Sequence, residues 1–309
     1  MLTSAHITTA VSAALLEDAP WGDVTVETLI PGDATASATL VAREPGVLSG
    51  IDVFAAAFRL TDARMRVELH AADGDAFGPG QTLATVTGPA RSVLTAERVA
   101  LNFAQRMSGI ATLTRRYVDA VAHTSARVTD TRKTTPGLRA FERHAVASGG
   151  GRNHRFSLSD AVMAKDNHLA VLVQQSGLHL TEAILAARAK LGHTTHFEVE
   201  VDRLDQVAPV LAAGVDTIML DNFSIAELRA GVGLIAGRAT AEASGGVNLD
   251  TVAAIAETGV DVISVGALTH SASAIDLGLD MALETGLEPA LEPAPSEAAA
   301  VAAAAGTGA

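Results

Sequence analysis

Hydrophobic positions along the first hundred residues follow two different periods. Ile7, Val11 and Leu15 recur at the spacing of one helix face. Residues 36–42 and 65–71 instead alternate apolar and polar side chains, as half-buried strands do, and the turn-rich stretch 73–90 is typical of a hairpin. This region is therefore predicted to be a mixed α/β unit.

A helix is predicted from Thr95, a plausible N-cap, to Ser108, with Gly109 as its stop. Arg98 lies near the start of this helix, where a positive charge is unfavourable to the helix dipole. A nearby anion would offset that cost, so the position indicates a ligand. The alternative is a surface ion pair with Glu97 or another acid.

From about residue 127 onward, short apolar strands alternate with helices, which predicts a parallel sheet covered by helices. Glu200, Asp221, Ser244 and Gly266 each fall at or just past the end of a strand, at intervals of 21, 23 and 22 residues. This regular βα repeat favours a barrel, whose active site forms at the carboxyl ends of the strands. An open doubly wound sheet is the alternative, and it would gather ligands at a single switch point.

Basic residues cluster in the middle of an acidic chain. The net charge is -13, yet eight of the 22 Lys and Arg residues lie between positions 127 and 165. The segment 148–155, SGGGRNHR, sets three glycines beside two arginines and a histidine. Arg132, Lys133 and Lys165 are expected at the same strand ends as the polar residues above. The pattern predicts a small anionic ligand, with ordinary surface salt bridging as the alternative.

Composition narrows the possible functions. The chain has 309 residues, 48% of them hydrophobic, and no cysteine, which excludes disulfides and thiolate chemistry and fits a cytoplasmic protein. We find no signal peptide and no apolar run of the roughly 20 residues that would span a bilayer. The acidic charge argues against nucleic acid or an anionic membrane as a partner. The Ala- and Pro-rich tail 288–309 is expected to be mostly disordered.

Two glycine-rich loops follow late strands, at 242–248 (EASGGVN) and 264–271 (SVGALTHS). Such loops let backbone N–H groups approach phosphate oxygens, and two in adjacent units indicate a phosphate site more strongly than one, which a tight turn would explain. Glu198 and Glu200 share one strand face. Carboxylates such as Glu200 and Asp221 beside phosphate suggest Mg²⁺, or sugar hydroxyls and a developing cation. The alternative is structural pairing with Lys133 or Lys165.

With these motifs in hand, the chain resembles the quinolinate phosphoribosyltransferase family. The matching motifs run in family order over essentially residues 1–285: GDVT, ERVALNFAQRMSGIAT, DTRKTTPGLR, GGGRNHR, KDNH, EVEVD, LDNF, SGGVN and SVGALTHS. The resemblance implies an α/β fold with an N-terminal open-faced sandwich (1–110, expected to be joined by 270–287) and an incomplete seven-stranded, TIM-like α/β barrel (111–270).

The resemblance also implies an enzyme. The reaction transfers phosphoribose from phosphoribosyl pyrophosphate (PRPP) to the quinolinate nitrogen, with loss of CO₂ and pyrophosphate, and yields nicotinate mononucleotide for NAD biosynthesis. Mg²⁺ accompanies the pyrophosphate. The implied unit is a homodimer, or a higher oligomer, in which Arg98 reaches quinolinate from the neighbouring subunit.

Site residues are carried over by motif. Quinolinate is expected to bind to Arg132, His154 and Arg155, and Lys133 and Lys165 are expected close to its carboxylates and the pyrophosphate. Glu200 and Asp221 are expected to face the ribose and the metal, directly or through water. The 5′-phosphate is expected at Ser244, Gly245, Gly266 and His270. Of these, Lys133, Lys165, Glu200 and Asp221 are the expected catalytic residues.

Two positions depart from the family pattern. Ser157 stands where glycine is usual and His144 where tyrosine is common, which affects the fine geometry beside the site. A relative linked to molybdate transport shares the fold and some motifs, but the Arg132, His154 and Arg155 set favours the phosphoribosyltransferase. A non-catalytic phosphate sensor would be expected to lack Lys133, Lys165 or Glu200, and all three are present.

Overall fold

The structure of the protein is a computed structural model that describes residues 2–282. The tail 288–309, for which we predicted disorder, lies outside the described residues.

The N-terminal part of the chain contains, in order, α1 (Ser4–Asp18), α2 (Val24–Leu29), β1 (Thr35–Ala42), β2 (Gly46–Val47), α3 (Ile51–Thr61), β3 (Arg66–Leu69), β4 (Ala76–Phe77), β5 (Thr82–Pro89) and α4 (Ala90–Val121). The remainder contains β6 (Arg127–Thr129), α5 (Arg139–Ser148), β7 (Val162–Ala164), α6 (Asp166–Ser176), α7 (Leu180–Arg188), β8 (Phe197–Val201), α8 (Leu204–Ala212), β9 (Thr217–Asp221), α9 (Ile225–Ile235), β10 (Thr240–Ser244), α10 (Val252–Ala256), β11 (Val262–Ser264), α11 (Ala267–His270) and β12 (Leu277–Ala282).

An antiparallel sheet in the order β12-β1-β5-β3 forms the first layer. The alternation in β1 is the reason for its half-buried position, because residues on one face of a strand pack on the helices behind it. α3 and α4 cover the sheet, and the rings of Phe54 and Phe58 meet edge to face beneath it at 5.0 Å. The last strand of the described chain thus completes the sheet that the first strand begins.

The helix α4 is much longer than predicted. It spans 32 residues and has no side-chain cap at Thr95, so both predicted ends are wrong. Gly109 does not stop the helix. A Cβ at this position would lie 1.9 Å from the carbonyl oxygen of Ser273, so the glycine allows a close approach between helix and chain. Arg98 therefore lies more than two turns inside the helix, and the dipole argument for a ligand at Arg98 fails.

A second, parallel sheet has the order β6-β11-β10-β9-β8-β7. Strands from β7 to β11 follow one another without reversal, and the first strand, β6, lies beside the last, β11. This order is that of a barrel wound in one direction and excludes the doubly wound alternative, in which the strand order reverses.

The barrel is incomplete. The parallel sheet has six strands rather than seven, and a seventh element contributes only a single parallel bridge, between Thr129 and Arg152. Within the described residues no ladder joins β7 to β6, so the sheet does not close. The segment 148–155 thus runs along the open edge.

No single helix within residues 2–282 is both long and apolar enough to cross a membrane. One strongly bent pair, α6 with α7 at 96°, meets the length and composition test together.

Candidate active site

The carboxyl ends of the barrel strands surround a cavity of about 530 Å³. Its wall consists of Thr131, Arg132, Lys133, His154, Arg155, Met163, Lys165, Glu200, Met219, Asp221, Asn222, Ser244, Gly245, Gly246 and Ser264. Nine of the twelve predicted site residues are in this wall, although they are spread over more than one hundred positions of sequence. The parallel register brings them together, since for example Asp221 lies directly opposite Ser244 at the ends of β9 and β10.

Gly266 and His270 lie next to this wall. A Cβ on Gly266 would be 3.0 Å from Cδ of Lys133 and 3.2 Å from Nε2 of His270. The carbonyl of Lys133 also accepts a hydrogen bond from Thr269 Oγ1 at 2.7 Å. The loop after β11 and the loop after β6 are therefore tied together beside the cavity.

Arg98 is the predicted site residue that the structure does not bring to the cavity. It is exposed on α4, and its side chain makes no hydrogen bond or ion pair with any of the described residues.

Two arginines present unpaired donors to the cavity. The Nε atoms of Arg132 and Arg155 are buried and have no hydrogen-bond partner within residues 2–282. Arg155 also donates from Nη1 to the carbonyl of Ala161 at 3.0 Å, which fixes its guanidinium. Burial, followed by the positive charge of Arg132, lowers the pKa of Arg155. Buried guanidinium donors without acceptors are costly, so an anion with planar oxygens would stabilise both.

In the same cavity wall, the amine of Lys165 is paired with the carboxylate of Glu200. Lys165 follows β7 directly, and Glu200 is in the neighbouring strand β8. An ion pair of Glu200 with Lys165 is the contact that the structural alternative described, and both side chains line the cavity. Lys133 is exposed, and its amine has no partner among residues 2–282.

In the cavity wall, Asn222 in the loop after β9 is in close contact with Gly245 in the loop after β10. Asn222 adopts φ 58° and donates from Nδ2 to Asp221 Oδ2 at 2.6 Å. Gly245 has φ 91°, and a Cβ there would lie 2.2 Å from Asn222 Oδ1 and 2.8 Å from the Asn222 amide nitrogen. A glycine is therefore required, and the backbone of this loop is open to a ligand. α9 begins three residues after Asn222, and Ser224 and Glu227 cap it reciprocally.

His154 has protein contacts at both ring nitrogens. Nε2 lies 3.3 Å from Glu198 Oε2 and 3.5 Å from Glu242 Oε1, and Nδ1 accepts the amide hydrogen of Arg155 at 2.8 Å. Burial opposes a charge on the ring, but the two carboxylates outweigh it and raise the pKa of His154. Because Nδ1 accepts the Arg155 amide hydrogen, the proton that faces the carboxylates is on Nε2. Burial also raises the pKa of Glu198, and the nearby Glu242 adds to this.

The carboxylate of the buried Asp130 binds the main chain of His154. Its Oδ1 accepts the His154 amide hydrogen at 2.7 Å, and Arg143 approaches the same oxygen at 3.4 Å. Burial outweighs these contacts and raises the pKa of Asp130 to about 6.

The carboxylates of Glu200 and Asp221 are the cavity groups that suit Mg²⁺, which prefers oxygen ligands. Within the described residues they are not part of a cluster of three close acidic or histidine ligands. They therefore fit a cation that substrate oxygens also hold, rather than one bound by the protein alone.

Sequence reasoning missed several wall residues. Asn222, Thr131 and Gly246 belong to the LDNF, DTRKTTPGLR and SGGVN motifs respectively, so the motifs themselves could have indicated them. Met163 and Met219 could not be recognised, since apolar residues near a strand end look like core. The buried pair Glu198 and Glu242 was not linked to His154.

Both departures from the family pattern lie outside the cavity wall. His144 Nε2 is 2.6 Å from Asp73 Oδ2, so it links α5 to the loop after β3. Burial acts to raise the pKa of Asp73, but the contact with His144 and the backbone hydrogen bonds that the carboxylate accepts, one of them from Ile51, outweigh it and lower the pKa. Ser157 Oγ donates to Asp160 Oδ1 at 3.2 Å within its own loop.

Family models match almost all of the described chain. The model described as "Quinolinate phosphoribosyl transferase, N-terminal domain" matches residues 23–108, and the corresponding C-terminal domain matches residues 110–280. The probable nicotinate-nucleotide pyrophosphorylase [carboxylating] of Bacillus subtilis is 41% identical over 264 residues, covering 85% of this chain and 89% of the relative. The enzyme of that name from Mycobacterium leprae is 42% identical over 278 residues, covering 87% and 95%.

Solved structures agree. NadC from Streptococcus pyogenes superimposes with a TM-score of 0.86 at 41% identity, covering 91% of this chain and 98% of its own. The nicotinate-nucleotide pyrophosphorylase of Francisella tularensis does so with 0.85 at 35% identity, covering 91% and 98%. The cavity at the mouth of the incomplete barrel is lined by arginines, lysines and acids, and family models match the chain over both domains. The chain therefore belongs to the quinolinate phosphoribosyl transferase family.

Proposed function

We propose that the protein transfers the phosphoribosyl group of PRPP to the ring nitrogen of quinolinate, releases pyrophosphate and CO₂, and forms nicotinate mononucleotide for NAD biosynthesis. One observation carries the proposal: the buried Nε donors of Arg132 and Arg155 have no hydrogen-bond partner within residues 2–282, and both arginines line a cavity that also contains lysines, acids and a glycine-rich loop. A dicarboxylate and a polyphosphate together match this set of charges.

Quinolinate binds on the arginine side. Arg132 and Arg155 offer planar donors to its carboxylates, and His154 supports that wall. The uncovered amine of Lys133 adds a compact positive charge between this wall and the loop after β11. A monocarboxylate leaves part of this positive charge unmatched, so the site favours a dianion.

The phosphoribosyl group binds on the acidic side. The backbone around Gly245 receives the 5′-phosphate, with Ser244, Gly266 and His270 beside it. Glycosyl transfer develops positive charge on the ribose while negative charge grows on pyrophosphate. Glu200 and Asp221 stabilise the first, and Lys165, freed from Glu200, stabilises the second. Glu200 and Asp221 are the residues that would hold Mg²⁺ together with substrate oxygens, and the ion would supply positive charge to the pyrophosphate leaving group.

The active unit is a homodimer, or a higher oligomer built from it. Leu16, Trp21, Val24 and Leu29 form an apolar patch on α1, α2 and their connection, and Trp21 is 95% exposed. Patches of this kind mark interaction surfaces. α2 packs on the half of α4 that carries Arg98, with Asp23 Oδ2 3.5 Å from Thr95 Oγ1. A partner seated on the patch brings Arg98 to the partner's barrel mouth.

The protein acts in the cytoplasm, without nucleic acid or membrane as a partner.

The deciding experiment mixes the purified protein with quinolinate, PRPP and Mg²⁺ and measures nicotinate mononucleotide and released CO₂. Formation of both in equal amounts is expected. If the protein forms neither product from quinolinate, the proposal is wrong.

A further inference from the structure

Two buried acids inside the barrel have no part in the chemistry proposed above. Glu198 and Glu242 are each 3% exposed, and the oxygen Oε1 of each has no hydrogen-bond partner within residues 2–282. Glu198 lies one strand pleat below Glu200, and Glu242 one pleat below Ser244, so both are directly beneath the substrate cavity. Burial of a carboxylate is costly unless a partner offsets its charge, so the contacts that these two acids make are informative.

Both acids face one histidine. Nε2 of His154 lies between them, at 3.3 Å from Glu198 and 3.5 Å from Glu242. His154 belongs to the wall of the substrate cavity, and it also faces a second cavity of about 430 Å³ on the far side of this layer. The second cavity opens at the amino ends of the strands, beside Arg127, Thr217, Thr240 and Val262.

The rest of His154 is fixed as well. Its amide hydrogen is bound to Asp130, and Nδ1 receives the amide hydrogen of Arg155. Ring and main chain are thus held from three directions, and the position of the Arg155 main chain depends on the ring. Arg155 is one of the two arginines that carry the anion site.

A metal ion at His154, Glu198 and Glu242 is the main competing interpretation, because the three ligand atoms lie within 4.8 Å of one another. A metal needs the lone pair of Nε2, however. The amide of Arg155 uses the lone pair of Nδ1, so the proton of the ring is on Nε2 and points to the carboxylates. The contacts favour a hydrogen-bonded support over a metal site.

We propose that Glu198 and Glu242 are positioning residues for quinolinate binding: they hold the imidazole of His154 from inside the barrel and so fix His154 and the Arg155 main chain in the cavity wall. The inference rests on the proposed function, since quinolinate is the ligand whose binding it explains.

The test compares Glu198→Gln, Glu242→Gln and the double variant with wild type, measuring the KM values for quinolinate and PRPP, kcat, and quinolinate binding by calorimetry. We expect quinolinate to bind about tenfold more weakly in each variant, while the KM for PRPP changes less than about twofold. Removal of negative charge near a dianion would, by electrostatics alone, tighten quinolinate binding. Unchanged or tighter binding therefore overturns the proposal.

A double-mutant cycle separates positioning from general loss of structure. In a His154→Ala background, Glu198→Gln should cause no further loss of quinolinate affinity, because the group through which it acts is gone. Additive losses would show that Glu198 acts without His154. Glu257→Gln is the matched control, since Glu257 pairs with His123 on the surface at 3.2 Å.

A measurement without substrate keeps this inference distinct from the proposed function. In ¹⁵N-histidine NMR spectra we expect a proton on Nε2 of His154 and a changed ring signal in the double variant. If the wild-type protein fails to bind quinolinate but shows this signal, the proposed function is wrong, while the positioning of His154 by Glu198 and Glu242 remains valid. Two results would overturn the positioning role of Glu198 and Glu242. One is an Nε2 without a proton; the other is a metal that copurifies with the wild-type protein and is lost in the double variant.

Discussion

The ammonium group of Lys165 is paired with the carboxylate of Glu200 across neighbouring strands at the barrel mouth. Both side chains line the cavity, so a phosphate oxygen that enters it competes with Glu200 for the amine. Binding of the donor would then separate the pair and leave an uncompensated carboxylate beside the ribose, where positive charge develops during transfer.

We therefore expect Glu200→Gln to lower kcat by about a hundredfold or more with nearly unchanged KM values, because the charge matters in the transition state. Steady-state kinetics of the variant, with Glu257→Gln as control, provide the check. A raised KM with normal kcat would mean that Glu200 only binds the ground state.

Arg132→Ala and Arg155→Ala should weaken quinolinate binding by about 2–5 kcal/mol and PRPP binding much less, since each removes a charge-assisted contact in a covered site. Calorimetric titration with each substrate distinguishes the two. Arg203→Ala is the control, because Arg203 is exposed and its ion pairs within residues 2–282 are with Asp202 and Asp205. Equal losses for both substrates would contradict the assignment.

Gly245→Ala should destabilise the fold by about 1–3 kcal/mol and raise the KM for PRPP more than that for quinolinate. The added Cβ collides with Asn222 at a φ of 91°, a backbone angle that alanine adopts only under strain. Gly233→Ala is the matched control, because its Cβ has open space around it in α9. Urea denaturation and initial-rate kinetics report the two effects; normal behaviour of Gly245→Ala would show that the loop adapts.

Stability should depend on pH through Asp130. Its pKa is raised to about 6 from 3.8, so the folded state holds a proton that the unfolded state releases between these values. The resulting stabilisation is present below pH 3.8 and is lost as the pH rises through about 6, by about 3 kcal/mol. Asp130→Asn should remove this dependence. Urea denaturation of wild type and variant from pH 4 to pH 7 measures it, and parallel curves would argue against a raised pKa.

Two inactive variants should restore activity when mixed, if Arg98 acts in the neighbouring subunit. After subunit exchange between Arg98→Ala and Lys165→Ala, about half of the dimers are hybrids with one intact site of two, so activity should return to about a quarter of wild type. Labelled subunits verify the exchange. Absence of recovery despite exchange would place Arg98 in its own site or outside any site.

The barrel and its mouth could be predicted because they depend on local periods. The near-equal spacing of Glu200, Asp221 and Ser244 is a property of the βα repeat, and parallel strands necessarily bring their ends to one edge. The ends of α4 could not be predicted. Gly109 is typical of a helix stop, and only the position of Ser273, more than 160 residues later, explains why the helix continues through it.

The contact of Glu198 and Glu242 with His154 beneath the cavity could not be predicted from the sequence either. Glu198 and Glu242 belong to different strands, and the chain meets His154 before either of them. Their contact depends on how far the strands are staggered around the barrel, which no local pattern reports. The same limit applies to the role proposed for Arg98, which would depend on a second copy of the chain.

The pairing of β1 with β12 also has a consequence for synthesis on the ribosome. The first strand of the antiparallel sheet emerges early, but its outer edge is covered only by residues 277–282, after the whole barrel has been made. Until then β1 presents an open edge that can pair with other chains. Nascent chains released before β12 should therefore aggregate through β1, even though every barrel strand is already complete.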